Sequence, residues 1–237
     1  MQLRRFYIDP DRFGNKVELS PEQTRHLSRV LRLGTGEDIS VFDGCGRESI
    51  FRIVDTAPSG ASVEFVEDIP PMSPESDIAI ELAVPLLKKA HTELVLQKAV
   101  ELGVSRFVPL ITKRTEARTS AWKAERAFRI AVEAAKQSGR ATVPIIESPR
   151  DFESFVEGFN GTGFLFYESE GSVLPDSIDN ESVTVITGPE GGWDETEIET
   201  ARGAGFEIVH LGGRILKAET AAIVATALVQ EKFGDLN

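Results

Sequence analysis

The sequence predicts an α/β protein whose parallel sheet is preceded by a small β-barrel. The first 70 residues alternate short β-type runs with turn residues, and a proline-rich stretch interrupts the pattern. Beyond the break, near-continuous apolar strand-like runs alternate with helical patterns, the signature of a parallel sheet covered on both faces. A chain of 237 residues also exceeds the usual single-domain size, which makes two domains the natural prior.

In the first part the β-type runs are residues 4–8, 38–43, 48–55 and 61–67. Between the first two, Ser20-Pro21-Glu22-Gln23 has a capping-box pattern with Pro21 at the first helical position, opening a short helix through Val30. Glycines at 34, 36, 44, 46 and 60 punctuate the strands. Residues 69–76 then carry three prolines in five positions, Pro70, Pro71 and Pro74, which marks a linker. The predicted domains are therefore residues 1–72 and 73–237.

In the second part strands are predicted at 78–85, 106–111, 163–167, 183–187 and 207–211. Helices are predicted at 92–102, stopped by Gly103, at 121–138, stopped by Gly139, and at 194–204 and 218–233. Pattern alone describes a Rossmann-like open sheet. The longest apolar run, around 221–229, is far too short to span a bilayer, and the N-terminus lacks the apolar core of a signal peptide, so a cytoplasmic protein with no membrane role is expected. The lone Cys45 excludes an internal disulfide. His26, His91 and His210 are scattered without metal spacing, so no structural metal is expected, and each histidine reads as packing or surface.

A net charge of −12 by itself argues against a nucleic-acid partner. Its distribution reverses that reading. Residues 1–32 carry seven Lys or Arg against four acids and residues 77–147 twelve against eight, whereas 33–76 hold two against nine and 148–237 five against seventeen. A basic face built from the N-terminal segment and the middle helices is compatible with RNA, although lysines and arginines that merely solvate helix faces would look the same.

The most informative stretch is the last fifth. Thr187-Gly188-Pro189-Glu190-Gly191-Gly192 and, about twenty residues on, Leu211-Gly212-Gly213-Arg214-Ile215-Leu216-Lys217-Ala218-Glu219-Thr220-Ala221 each follow a strand-like run and precede a helix-like one. Two such loops on one side of a parallel sheet offer backbone amides and close approach to the same small molecule. No phosphate-binding GxxxxGK[ST] occurs, and neither Gly34-Thr35-Gly36 nor Gly44-Cys45-Gly46 follows a strand and opens a helix with a third glycine in place, so NAD and ATP are poor candidates.

GPEGG at 188–192 followed by LGGRILKAETA at 211–221 resembles the C-terminal signature of the RsmE family, the bacterial 16S ribosomal RNA uridine-N3 methyltransferases of the SPOUT (trefoil-knot) class. HLSRVLRL at 26–33, VFDGCGR at 41–47, QKAVELGVSRFVPLIT at 97–112 and EAAKQSGR at 133–140 extend the resemblance over nearly the whole chain. It implies a PUA-like RNA-binding barrel, then a SPOUT methyltransferase domain containing a deep knot. Sequence physics alone would vote against a knot. It also implies S-adenosylmethionine as cofactor, a homodimer, and 16S ribosomal RNA, within the small ribosomal subunit, as partner.

Carried over residue by residue, the cofactor would be held by Thr187, Gly188, Glu190, Gly191 and Gly192, by Leu211, Gly212, Ile215 and Leu216, and by Tyr167 and Glu168 as a third wall. Uracil N3 is protonated at neutral pH, so methylation there needs proton removal or anion stabilisation. Arg214 and Lys217 are the cations placed to support the anion or grip a phosphate; Glu219 is a candidate base, or a first-turn carboxylate that stabilises its helix. The family pattern has arginine where this chain has Lys217, and an acidic residue is common where Lys136 stands. Expected phosphate contacts are Arg4, Arg5, Arg29 and Arg32, with Arg29 and Arg32 sharing a helix face, and Lys113, Arg114, Arg118 and Arg140. The small apolar residues of the last helix suit either a dimer interface or core packing. Two rival functions stay open: a catalytically silent RNA-binding or ribosome-assembly factor, and a methyltransferase of this fold acting on another RNA or on a ribose 2′-hydroxyl.

Overall fold

The computed structural model describes residues 3–57, 59–88 and 90–236. They form two compact units, one of residues 1–75 with 135–143, the other of 76–134 with 144–237.

Five described strands build the first unit's sheet: β1 (Arg5–Tyr7), β2 (Lys16–Glu18), β3 (Asp38–Phe42), β4 (Glu48–Ala57) and β5 (Gly60–Ile69). Their order is β1-β3-β4-β5-β2, with β1 and β3 parallel and the other pairs antiparallel. Alternation sends Phe6, Ile39, Val41, Phe51, Ile53 and Val63 into one core, each fully buried; a fully buried side chain of this kind contributes roughly 1.5–3 kcal/mol. The edge strands β1 and β2 are not paired, so the predicted barrel is open along one seam.

The helix α1 (Pro21–Arg25) links β1 to β5. Its capping box forms as predicted, with Ser20 Oγ accepting from Gln23 N at 3.2 Å and Gln23 Oε1 accepting from Ser20 N at 3.1 Å. Gln23 Nε2 then donates to Tyr7 O of β1 at 2.7 Å, while Thr24 Oγ1 accepts from Ala61 N of β5 at 2.8 Å. The chain next widens into a π-helical turn, His26–Val30. Arg32 ends it at φ 58°, so Arg29 and Arg32 do not share a helix face as expected.

Arg5 and Arg140, expected as phosphate contacts, are structural instead. Arg5 is 7% exposed and forms a two-pronged pair with Glu48 at 2.9 and 3.0 Å. The same guanidinium donates to the carbonyls of Ala135, Lys136 and Arg140 at 2.9–3.0 Å, satisfying acceptors that the end of a helix leaves open. Arg140, 4% exposed, pairs with Glu75 at 2.6 Å. The predicted stop at Gly139 holds, at φ +91°.

The second unit contains β6 (Ala79–Pro85), α2 (His91–Glu101), β7 (Arg106–Ile111), most of α3 (Ala124–Ser138), β8 (Ile145–Ile146), β9 (Arg150–Asp151), α4 (Phe152–Glu157), β10 (Thr162–Phe166), β11 (Ser182–Ile186), α5 (Glu195–Gly203), β12 (Glu207–Val209) and α6 (Ala218–Phe233). Every described pairing in its sheet is parallel, in the order β12-β10-β11-β6-β7-β8, with β9 also on β7. Ile80, Leu82, Phe107, Leu110, Phe164 and Val185 are at most 1% exposed, the two-sided burial that the apolar strands predict. The short elements β2, β8, β9 and α4 were not predicted, because two to six residues carry no readable period.

From the sheet edge at β12 the chain returns to the middle, where α6 packs on α2 and β11. Ala222, Ala225 and Val229 are fully buried there, and Gln230 Nε2 donates to Leu102 O at 2.8 Å. The buried stripe of small residues is thus core packing in its own unit.

Candidate functional site

Because the strands are parallel, the segments after β6, β10, β11 and β12 leave the sheet at one edge. Around them lies a cavity of about 530 Å³, within the range of small-molecule sites. Phe166, Tyr167 and Glu168 line it after β10, Gly188, Pro189, Glu190 and Gly192 after β11, and Leu211, Gly212 and residues 214–217 after β12. Lys88 from the segment after β6 and His91 from the start of α2, with Ala218, Glu219 and Ala221 from the first turn of α6, complete the lining.

Local chemistry shapes these loops. Gly192 sits at φ +72° and donates to Pro189 O at 3.0 Å, closing a turn. A Cβ at Gly188 would lie 2.9 Å from the Trp193 indole nitrogen. That indole, 3% exposed and packed on Phe152, donates to Phe166 O at 3.0 Å and ties the loop after β11 to the end of β10. Gly212, at φ +80°, borders open space, since nothing lies within 4 Å of where its Cβ would stand.

Nine of the eleven residues expected at a cofactor line the cavity: Tyr167, Glu168, Gly188, Glu190, Gly192, Leu211, Gly212, Ile215 and Leu216. Thr187 and Gly191 do not. Thr187 is fully buried with its Oγ1 unpaired, and a Cβ at Gly191 would meet Arg114 Cβ at 3.1 Å and its carbonyl at 3.3 Å, so that glycine serves packing between loops. Arg214, Lys217 and Glu219 all line the cavity, the two cations exposed and Glu219 9% exposed in the first turn of α6. Neither Arg214 nor Lys217 forms an ion pair with a described residue.

His91, read from sequence as packing or surface, is a half-exposed side chain at the cavity wall. Its Nδ1 lies 3.6 Å from Glu219 Oε2 and 3.9 Å from Glu190 Oε1. Glu190 is itself anchored by Lys88 N at 2.8 Å. No spacing rule joins positions 91, 190 and 219. The one available signal was that His91 opens a helix directly after a sheet strand.

Of the remaining basic residues, Arg4, Arg29, Arg32 and Arg118 are exposed. Lys113 and Arg114 gather at the start of α5, 3.6 and 3.5 Å from Asp194, and Lys113 Nζ also donates to Thr196 Oγ1. Hydrogen bonds from the Thr196 hydroxyl and backbone hold the Asp194 carboxyl below its usual range, with the two cations adding to the effect. Among the described residues no group of three or more His, Cys, Asp or Glu could hold a metal ion, and no helix is long and apolar enough to cross a membrane.

The cavity thus combines apolar and backbone walls from glycine loops with two cations and a shielded carboxylate, a set suited to holding a flat ligand and moving a proton beside it. A family model for an RNA methyltransferase domain matches residues 74–230. The ribosomal RNA small subunit methyltransferase E of a Synechocystis strain is 36% identical over 90% of this chain and 72% of its own length. That of Rickettsia conorii is 32% identical over 97% and 96%. A crystal structure of the Neisseria gonorrhoeae ribosomal RNA small subunit methyltransferase E bound to S-adenosyl methionine superposes with a TM-score of 0.91, at 32% identity and full coverage of both chains. The chain, with its open curled sheet and parallel-sheet unit, therefore belongs to the ribosomal RNA small subunit methyltransferase E family of RNA methyltransferases.

Proposed function

We propose that this protein transfers a methyl group from S-adenosylmethionine to N3 of a uridine in small-subunit (16S) ribosomal RNA. The observation that carries this reading is the convergence of both glycine loops with Arg214, Lys217 and Glu219 on one cavity, in a chain that aligns end to end with a relative bound to that cofactor. The residues present fit the cofactor: Gly212 leaves open space at the wall, and Tyr167, Leu211 and Leu216 supply apolar surface. When bound, S-adenosylmethionine supplies an electrophilic methyl on a sulfonium.

The chain's own residues supply placement and proton chemistry. Glu219 accepts the proton of uracil N3, and the electron pair of the N–H bond stays on the nitrogen. Arg214 and Lys217 stabilise the negative charge that develops on the ring, or hold the adjacent phosphate. The first unit, expected from sequence as residues 1–72 and joined by 135–143, acts as the PUA-like RNA-binding domain, and the second unit, expected as residues 73–237, acts as the methyltransferase domain. Arg4, Arg29, Arg32, Lys113, Arg114 and Arg118 contact phosphates. The active form is a cytoplasmic homodimer that pairs through the exposed side of α6, which carries the half-exposed Leu228.

The test incubates purified protein and labelled S-adenosylmethionine with small ribosomal subunits lacking the modification, followed by nucleoside mass spectrometry. The expected product is 3-methyluridine. A 2′-O-methylated nucleoside would move the target to the ribose, and absence of both methylation and cofactor binding would make the protein an RNA-binding factor.

A further inference from the structure

His91 stands at a junction that the family resemblance did not assign. It opens α2, where its N donates to Lys88 O at 3.2 Å, and the preceding turn is braced by Leu87 N donating to Thr92 Oγ1 at 2.8 Å. The imidazole is therefore presented by a fixed piece of backbone. Its Nδ1 is buried yet makes no hydrogen bond, and it faces Glu219 Oε2 at 3.6 Å and Glu190 Oε1 at 3.9 Å. The two carboxylates are held differently. Glu190 already accepts from Lys88 N at 2.8 Å, whereas Glu219, with a side chain 12% exposed, makes no hydrogen bond with a described residue.

We propose that His91 is a positioning residue for the proton-accepting carboxylate: placed between Glu190 and Glu219, its Nδ1–H holds the Glu219 carboxylate in one orientation at the cavity. The inference rests on the reading that Glu219 takes the uracil N3 proton. In that step the N3–H bond breaks, an O–H bond forms on Glu219, and the electron pair remains on N3. A carboxylate that already shares a donor on its far oxygen presents the other oxygen in one orientation, which is how a positioned base gains over a freely rotating one.

The test compares His91→Leu, which removes the donor, with His91→Asn, which keeps an N–H near the Nδ1 position. Expected for His91→Leu are a fall in kcat of about tenfold or more, an unchanged KM for RNA, and a calorimetric Kd for S-adenosylmethionine within twofold of the parent. His91→Asn should recover most of the kcat. Loss of cofactor affinity in parallel with kcat would overturn the proposal by making His91 a cofactor contact, and unchanged kcat would overturn it outright. Nitrogen-15 spectra of the imidazoles give a readout independent of the reaction. The His91 Nδ1 signal should move in Glu219→Gln, and an unmoved signal refutes the pairing whatever RNA the parent protein methylates.

Discussion

The two units use cationic side chains in opposite ways. In the first, Arg5 and Arg140 are buried against Glu48, Glu75 and helix-end carbonyls, each charge matched by acceptors. In the second, Arg214 and Lys217 stand exposed at the cavity without an ion-pair partner among the described residues. An arginine whose donors are all used by its own chain is an architectural element. One whose donors face open space is available to a ligand, and this division separates fold from site here.

The largest effect that could break the comparison is on Arg5. Substitution Arg5→Met leaves Glu48, 3% exposed, as a buried charge without its partner, and breaking such a pair costs about 3–5 kcal/mol. Urea denaturation should show this loss, and Arg5→Met with Glu48→Met should recover part of it. Arg214→Ala should change stability by no more than about 0.5 kcal/mol while lowering methyl transfer. Equal destabilisation by the two substitutions would erase the distinction.

Next in size is Glu219→Gln, for which turnover should fall about 100-fold, the lower bound usual for loss of a positioned acid or base. Cofactor affinity should be retained. A Kd that rises in step would reassign Glu219 to the cofactor wall.

Two glycines of the site sharpen the contrast between packing and access. Gly188→Ala forces a methyl to within 2.9 Å of the Trp193 indole, an overpacking expected to cost about 1–3 kcal/mol. Gly212→Ala meets no neighbour and carries only the left-handed backbone penalty, about 1–2 kcal/mol. The discriminating measurement is cofactor binding. Gly212→Ala should weaken it more per unit of lost stability, because its methyl points into open space beside the cavity.

The smallest effects are in pH dependence. Tyr7, pushed up to about 12 by burial and by Asp9, Cys45 and Asp43 nearby, should give a late phenolate absorbance that Tyr7→Phe removes. Its stabilising contribution is complete below pH 10 and fades as pH rises from 10 toward 12. The carboxyls of Asp38 and Asp68 are lowered, by Arg52 and by Ser49 with Arg47 respectively. Their contribution is present above the usual carboxylate value of 3.8 and is lost as pH falls below it. Thermal stability should therefore show no step from these groups between pH 7 and 5; Asp38→Asn should flatten part of the acid decline.

Much of this was legible in the chain because it is local. The capping box at Ser20 and Gln23, the stops at Gly103 and Gly139, the apolar runs of β6, β7 and β11, and the two glycine loops are each set by neighbours a few residues apart. Strand polarity then placed both loops at one sheet edge, so most expected cofactor residues meet at the cavity.

Relations between distant positions, by contrast, arise only when the segments pack together. Residues 135–143 join the first unit, where their carbonyls accept from Arg5, 130 to 135 positions away in sequence. Arg5 and Arg4 are adjacent and chemically identical, yet Arg5 opens β1 and is buried against Glu48 while Arg4, just ahead of the strand, is exposed. Gly191, one residue from Gly192, packs on Arg114 instead of lining the cavity. His91 meets Glu190 and Glu219 only because a strand order brings three loops together. Sequence determines propensity and periodicity, which act over a turn or a pleat; whether a charged or small side chain faces solvent, a partner or a ligand depends on the other segments that burial brings against it.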